Sequence, residues 1–279
     1  MTTTPRVVLV SPKHAGNVGS VARAMKNFGL AELWLVAPRC RIDREAHALA
    51  AHAHDVLEAS VEVATLDEAL ADTTMVIGTS ARPRASEVHR ADVPERVLGA
   101  LTGQRGALVF GPEDTGLDNA ALDRCRLIAT IPTAPYASLN LAQAVVVVAY
   151  LWHREAHAEG SPLGGNPASA VRDGAPMALP STAAALAPRE QVEGMYDQLE
   201  SVALRSGYTD ERRLASALRH LRAVFDRASP SADEVARLRG LWRHLAWALE
   251  QPPERLPGRD AGIGRASDWE GGGERPPDP

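Results

Sequence analysis

The sequence predicts an α/β domain built on a mainly parallel, buried sheet, followed by a separate helical domain. Short apolar runs rich in β-branched residues recur along the first half of the 279-residue chain, with helix-like segments between them. Continuous apolar runs of this length favour strands that are covered by helices on both faces. A stretch rich in glycine and proline then separates this half from three amphipathic segments.

The predicted strands and helices of the first half alternate in chain order. Gly29 is expected to end the first helix, because glycine readily adopts the left-handed backbone that closes a helix. The predicted strands are Val7–Val10, Leu33–Val36, Thr74–Gly78, Ala107–Phe110 and Leu127–Ile131. The predicted helices are Val18–Phe28, Asp67–Ala71 and Leu139–His153.

Composition sets the expected domain limits at residues 1–160, 161–188, 189–250 and 251–279. Eight of the 28 residues in 161–188 are Gly or Pro and only two are charged, which predicts a flexible linker. Twelve of the 29 residues in 251–279 are Gly or Pro, which predicts a disordered tail. Between them, apolar residues at helical spacing predict a bundle of three helices. Their apolar faces are Val192, Met195, Tyr196, Leu199 and Val202, then Leu214, Leu218, Leu221 and Phe225, then Val235, Leu238, Leu241, Leu245 and Leu249.

Charge and cysteine content narrow the class of protein. The formal net charge of −5 argues against a general polyanion binder, so any contact with nucleic acid should use a local basic patch. Cys40 and Cys125 form no spaced metal or redox motif, which suits a reducing cytosol. The longest apolar stretch, Leu141–Trp152, is shorter than the roughly 18 residues that span a bilayer. We therefore expect a cytoplasmic protein without a membrane segment.

Glycines, hydroxyl residues and isolated charges are concentrated in four loops that follow predicted strands, where open α/β sheets bind ligands. Gly16 and Gly19 do not match a dinucleotide-binding motif, and on their own they indicate a tight turn with a helix cap. His153 and His157 lack the glutamate spacing of a zinc protease, so no metal site is expected. His52 and His54 are interpreted as surface residues. The loops begin at Ser11, Thr79, Gly111 and Pro132.

Three longer motifs resemble the ordered motifs of the SpoU-type RNA ribose 2′-O-methyltransferases. They run from Asn17 to Gly29, from Phe110 to Leu117 and from Ile131 to Val145, so the resemblance covers about residues 1–155. The 79–84 loop and the segment Leu218–Phe225 further resemble the bacterial TrmJ branch, which methylates cytidine or uridine at position 32 of the tRNA anticodon loop. Leu151 departs from the pattern, because many members have Glu there.

The resemblance implies a Rossmann-like parallel sheet with a carboxyl-terminal trefoil knot, the SPOUT fold, together with S-adenosylmethionine as methyl donor and a homodimer. It also assigns site residues. The implied catalytic residues are Asn17, Arg23, Glu113, Ser138 and Asn140. The implied cofactor-binding residues are Thr79, Ser80, Ala81, Gly111, Ile131, Ser138, Leu139 and Asn140.

Arg23 has the central role in this hypothesis. A guanidinium is a poor base, so Arg23 is expected to orient a phosphate and to stabilise alkoxide charge, with the other four catalytic residues fixing its direction. The predicted partner is tRNA, with ribosomal RNA, another tRNA position or a catalytically silent RNA-binding module as alternatives. The candidate RNA contacts are Arg82, Arg84, Tyr136, Arg212, Arg219 and Arg222. The alternatives are an exposed turn for Arg82 and Arg84, loop packing for Tyr136, and a solvated helix face for the other three.

Overall fold

A single seven-stranded sheet organises the computed structural model of the chain, which describes residues 4–80, 91–134, 139–157 and 185–251. Its strands lie in the order β3-β2-β1-β6-β4-β7-β5, and each neighbouring pair is parallel. The parallel sheet was predicted and is confirmed. The strands are β1 (Arg6–Val10), β2 (Leu33–Val36), β3 (Val61–Val63), β4 (Met75–Thr79), β5 (Ala91–Asp92), β6 (Gly106–Phe110) and β7 (Leu127–Ala129).

Helices connect the strands and form the second half of the described chain. The first helix ends as predicted, because Gly29 has a φ of +74° and its N–H bonds the carbonyl of Lys26. The helices around the sheet are α1 (Ala15–Asn27), α2 (Arg44–Ala50), α3 (His54–Glu58), α4 (Leu66–Leu70), α5 (Pro94–Val97), α6 (Asn119–Leu122) and α7 (Leu141–Ala156). The helices of the bundle are α8 (Arg189–Arg205), α9 (Leu214–Ala228) and α10 (Ala232–Glu250).

Both faces of the sheet are buried, which is the physical reason that its strands are continuous apolar runs. Side chains of β1 alternate between the two faces. Val7 and Leu9 belong to the core formed with α1 and α7, whereas Val8 packs with Leu70 of α4 and Leu122 of α6. The side with α1 and α7 forms the larger of the two cores.

Strands β3 and β5 were not predicted, and strand β7 ends earlier than predicted. Strand β3 contains Glu62 and leaves Val61 38% exposed at the edge of the sheet, so it has no buried apolar run to detect. Strand β5 has only two residues. Strand β7 ends at Ala129, and Ile131 therefore lies in the following loop.

The bundle contains the three predicted helices, and its core combines residues from all of them. Helices α8 and α10 begin side by side, where Leu186 pairs with Ser231, and they end side by side, where Arg205 bonds Glu250. Tyr196, Leu218 and Val235 are buried between the helices.

The predicted apolar face of α10 is only partly correct. Val235 is buried, but Leu241, Leu245 and Leu249 are 48%, 37% and 46% exposed. Trp242 packs against the bundle core as an additional contact. The apolar residues of α10 that pack in the bundle core lie in its first three turns. Helical periodicity alone therefore predicted a buried apolar face that was too long.

The bundle contacts the sheet domain at the amino ends of the strands. The backbone N–H of Arg189 bonds the carbonyl of Thr73 at 2.7 Å, and that of Glu190 bonds Ala71 at 3.0 Å. Both acceptors lie just before β4 begins. Leu186 is buried in the larger core of the sheet domain. Residues 185–188, the last four of the predicted linker, therefore pack with the folded domains.

Candidate active site at the carboxyl ends of four strands

The four loops singled out in the sequence follow β1, β6, β4 and β7, and these strands are adjacent in that order at the centre of the sheet. All neighbouring pairs are parallel, so their carboxyl ends lie along one side of the sheet. The predicted convergence is confirmed for the loop residues that the structure describes. Parallel sheets commonly bind ligands at this side.

A chain of side-chain hydrogen bonds joins three of the predicted catalytic residues. The Asn17 Nδ2 atom donates to Oε1 of Glu113 at 2.8 Å, and the Asn140 Nδ2 atom donates to Oδ1 of Asn17 at 3.0 Å. The backbone N–H of Lys13 donates to Oε2 of Glu113 at 3.1 Å. Residues from the loops after β1, β6 and β7 are therefore held as one unit, across sequence separations of 96 and 123 residues.

Glu113 is the anionic end of this unit. Partial burial raises the pKa of its carboxyl group, but hydrogen bonds from Asn17 and from the backbone N–H groups of Glu113, Lys13 and His14 outweigh that effect. The net pKa lies below the usual value for glutamate. Glu113 is therefore an ionised hydrogen-bond acceptor that fixes Asn17.

The first turn of α7 fixes Asn140. Its Oδ1 accepts from the N–H of Ala142 at 2.9 Å, while its own N–H donates to Oε1 of Gln143 at 3.2 Å. This capping box begins helix α7 and orients the Asn140 amide toward Asn17. The sequence pattern Asn140-Leu-Ala-Gln143 contains the signal for it.

The described cofactor candidates also border this side of the sheet. Thr79 Oγ1 donates to the carbonyl of Val109 at 3.1 Å, and the Ser80 N–H donates to Ala129 at 3.1 Å, so both are tied to neighbouring strands. A Cβ atom on Gly111 would lie 2.2 Å from the backbone of Gly116, so only glycine fits there. Ile131 and Leu139 are half-buried in the adjoining loop.

Arg23 is exposed on α1, and no hydrogen bond or ion pair joins it to Asn17, Glu113 or Asn140. The structure shows no such bond to the three described residues, so their expected role in fixing the direction of Arg23 stays a prediction. Helical geometry accounts for the missing bond to Asn17, because the six positions between Asn17 and Arg23 correspond to about 600° of rotation and place them on different sides of α1.

A cavity of about 660 Å³ lies beside the unit and includes residues that the sequence analysis missed. Asn17, Ser20 and Asn140 line it together with the cationic side chains Lys13 and Arg41. Lys13 also forms an ion pair with Asp114 at 2.5 Å. The signal was present in the loop after β1, which carries Lys13 and His14 directly before α1.

Two of the predicted RNA-binding arginines are engaged within the protein. The Arg222 side chain is 14% exposed, pairs with Glu193 at 2.7 Å and lies 4.2 Å from the Tyr196 ring centre. Arg219 pairs with Asp123 of the sheet domain at 3.3 Å. Arg222 therefore faces α8, whereas the Arg219 side chain pairs with the sheet domain and stays 33% exposed. The predicted RNA contacts of both arginines stay predictions. Arg212 is exposed, as predicted.

Several predicted positions lie outside the described residues, namely Ala81, Arg82, Arg84, Tyr136 and Ser138. His153 and His157 stack with ring centres 4.2 Å apart, and His153 bonds the carbonyl of Phe28. Among the described residues, no group of three or more His, Cys, Asp or Glu side chains could hold a metal ion. The helices of the described ranges are also too short or too polar to cross a membrane.

Two family descriptions match this chain in sequence. The SpoU rRNA Methylase family matches residues 4–150, and the carboxyl-terminal domain of tRNA methyltransferase TrmJ matches residues 190–254. The first match contains all the site residues described above in the sheet domain. The second coincides with the helical bundle.

Named relatives and a solved structure match most of the chain. The tRNA (cytidine/uridine-2′-O-)-methyltransferase TrmJ of Klebsiella pneumoniae is 40% identical over 244 residues, which cover 85% of this chain and 93% of the relative. The protein of the same name from Salmonella typhimurium is also 40% identical, over 240 residues with the same coverage. The crystal structure of TrmJ from Z. mobilis superposes with a TM-score of 0.71 at 32% identity, covering 87% of this chain and 99% of that one.

Proposed function

This chain belongs to the SpoU rRNA methylase family, and from that premise we propose that it methylates the ribose 2′-hydroxyl of a cytidine or uridine in tRNA, with S-adenosylmethionine as methyl donor. The observation that carries the proposal is the hydrogen-bonded unit of Asn17, Glu113 and Asn140 at the carboxyl ends of the central strands. We further propose position 32 of the anticodon loop as the target, following the resemblance of the 79–84 loop and the bundle.

The described loops fit a cofactor that approaches the backbone closely. Gly111 has no room for a side chain, and Thr79 and Ser80 have short side chains and fixed backbones. Thr79, Ser80, Gly111, Ile131, Leu139 and Asn140 would hold the cofactor, together with Ala81 and Ser138 outside the described ranges. When bound, S-adenosylmethionine supplies an electrophilic methyl group on a sulfonium sulfur.

Arg23 positions the substrate in this mechanism. Methyl transfer to a hydroxyl group needs the oxygen held in line with the methyl carbon, so placement supplies much of the rate. The exposed guanidinium of Arg23 is free to bind the neighbouring phosphate with its planar fork and to stabilise charge on the ribose oxygen. The ribose hydroxyl must also lose its proton, and water accepts it in this proposal, because the lowered pKa of Glu113 makes that carboxylate a weak base.

We propose that two copies of the chain form the working enzyme, with the knotted topology of the SPOUT fold. Val146 and Tyr150 are 41% and 49% exposed on α7, next to Phe28, whose ring centre lies 5.9 Å from that of Tyr150. Arg23 lies on the neighbouring helix α1. We propose that this apolar patch forms the interface between the two copies. Arg23 would then lie near the partner subunit and bind the substrate there.

The bundle is proposed to bind tRNA. Arg212 remains a candidate because it is exposed. Arg82, Arg84 and Tyr136 lie outside the described residues and stay predicted RNA contacts. Arg219 and Arg222 stay predicted RNA contacts, and in this chain each also forms an internal ion pair.

The proposed function is tested by mapping ribose methylation in tRNA from a strain that lacks the gene, with the purified protein added back. We expect one pyrimidine position to lose its 2′-O-methyl group and to regain it on incubation with S-adenosylmethionine, with or without a chelator. Loss of a methyl group in ribosomal RNA instead would favour that alternative. Failure of the protein to transfer a methyl group to any RNA would contradict the proposal.

A further inference from the structure

Helix α10 carries an unusual charge pattern along most of its length. From Val235 to Leu249 it contains three arginines, one histidine and two tryptophans, but no acidic residue. Arg239, Arg243 and Trp247 are spaced four residues apart, so they follow one side of the helix. We call these three residues the α10 stripe.

The stripe is accessible and partly preorganised. Arg243 is exposed and Trp247 is 43% exposed. The guanidinium of Arg239 lies against Gly194 of α8. A Cβ atom added to Gly194 would be 3.5 Å from this guanidinium, so the glycine leaves space for the arginine side chain. His244 lies beside the stripe, with its ring centre 5.5 Å from that of Trp247 and an interplanar angle of 32°.

The two arginines of the stripe differ in their partners from four other arginines of the bundle. Arg189, Arg205, Arg219 and Arg222 all form ion pairs. In the described ranges, neither Arg239 nor Arg243 forms one, although α8 carries exposed carboxylates. A pair of cationic groups without internal partners, next to an exposed indole, is suited to an external anion that also offers an aromatic plane.

We propose that the α10 stripe binds an unpaired segment of the tRNA substrate, an assignment that rests on the proposed function. Arg239 and Arg243 hold successive backbone phosphates, and Trp247 stacks on a base that is not in a helix. Unpaired bases leave their planes accessible, whereas bases inside a duplex do not. The proposed occupant is therefore a loop of tRNA, with phosphate contacts supplying affinity and stacking selecting single-stranded structure.

Two other features of α10 argue against a protein partner at the stripe. An apolar protein surface would remove water from two guanidinium groups without replacing their hydrogen bonds, which is costly. The exposed leucines Leu241, Leu245 and Leu249 lie at other positions around the helix, on the side nearer the bundle core. A protein partner with an apolar surface would therefore pack against these leucines and not against the α10 stripe.

The test uses the full-length protein and measures tRNA binding by three forms of it. These are the wild type, a double variant that carries both Arg239→Gln and Arg243→Gln, and a control variant that carries Arg227→Gln. Arg227 is an exposed arginine of the same bundle. We expect the double variant to weaken tRNA binding about tenfold and to reduce the slope of log Kd against log salt by roughly 1.5, about 0.7 for each lost phosphate contact. The control should match the wild type in both measurements. The affinity of the double variant for S-adenosylmethionine should stay within about twofold of the wild type.

Substitutions of Trp247 separate stacking from simple packing. Trp247→Phe keeps an aromatic plane and should retain most of the affinity, whereas Trp247→Leu keeps apolar volume and should lose about tenfold. Equal losses in both variants would contradict stacking. A wild-type Kd and salt slope in the double arginine variant would overturn the phosphate contacts. A change of oligomeric state in sedimentation, with tRNA binding unchanged, would assign the stripe to a protein contact instead.

These outcomes are distinct from failure of the proposed function. If the wild-type protein bound tRNA but transferred no methyl group, the enzymatic proposal would fail while the binding measurements still decided the role of the stripe. If the wild-type protein did not bind tRNA at all, both proposals would fail together.

Discussion

The two ends of the central sheet use charged residues in opposite ways. At the carboxyl ends, Glu113 is paired with neutral donors, and Arg23 is left without an internal partner among the described residues. At the amino ends, Arg189 is bonded to Glu193, Asp226 and the carbonyl of Asp123. Arg23 is therefore available to a ligand, whereas Arg189 holds the bundle against the sheet domain. The comparison shows that the role of an arginine has to be inferred from its contacts.

The largest expected effect is a loss of stability in Arg189→Ala, at the amino ends of the strands. The Arg189 side chain is only 4% exposed, and its removal leaves the Glu193 and Asp226 carboxylates without one of their cations. Breaking such a buried pair costs about 3–5 kcal/mol, so we expect the contact between bundle and sheet domain to loosen. Hydrogen exchange in α8 should rise, while S-adenosylmethionine binding is retained. Arg205→Ala, which removes the more exposed pair with Glu250, is the control and should cost less than about 1 kcal/mol.

The next effect is at the carboxyl ends, from Arg23→Ala and Arg23→Lys. Both variants should fold normally and bind S-adenosylmethionine, because Arg23 makes no internal bond in the described part of the chain. Turnover on tRNA should fall at least about a hundredfold, corresponding to a lost transition-state contact of roughly 3 kcal/mol, and lysine should rescue little because it lacks the planar fork. Lys26→Ala, on the same helix, is the control. Near-normal turnover of Arg23→Ala would remove Arg23 from the mechanism.

Glu113→Gln tests whether the hydrogen-bonded unit needs an anion. The carboxylate accepts from Asn17 at one oxygen and from the Lys13 N–H at the other, but a glutamine offers only one oxygen. One donor must therefore face an NH2 group, and we expect the free energy of unfolding to drop by about 1–3 kcal/mol, with slower turnover. Asp114→Asn is the neighbouring control. Unchanged stability and activity in Glu113→Gln would show that the unit does not depend on charge.

The smallest effect is the acid sensitivity of the contact between bundle and sheet domain. Burial raises the pKa of Glu193, but Arg189 and Arg222 outweigh it and lower the pKa below the ordinary value of 4.5. A carboxylate with a lowered pKa stabilises the folded state above its unfolded pKa, and this stabilisation is lost as the pH falls through the lowered value. Hydrogen exchange in α8 should therefore increase below about pH 4.5 in the wild type. Glu193→Gln should remove that step, and an unchanged pH profile in this variant would contradict the assignment.

The sequence predicted the layout of the sheet better than the partners of its charged residues. Leu33–Val36 was located to the residue because a buried strand leaves a continuous apolar run. The unit of Asn17, Glu113 and Asn140 was grouped only through the family resemblance, since no local pattern links residues about 100 positions apart. The internal partners of Arg222 were not predicted, because helical periodicity cannot reveal that Glu193 and Tyr196 cover that side of α9.

The attachment of the bundle at the amino ends has a consequence for the size of the substrate. The five-residue strands place about 17 Å between their two ends, and α10 extends over about 28 Å. Under the proposed function, an RNA that reaches both Trp247 and Asn140 contacts the bundle attached at the amino ends of the strands and the site at their carboxyl ends. We therefore expect a short oligonucleotide with the correct base and loop sequence to be methylated more slowly than full-length tRNA.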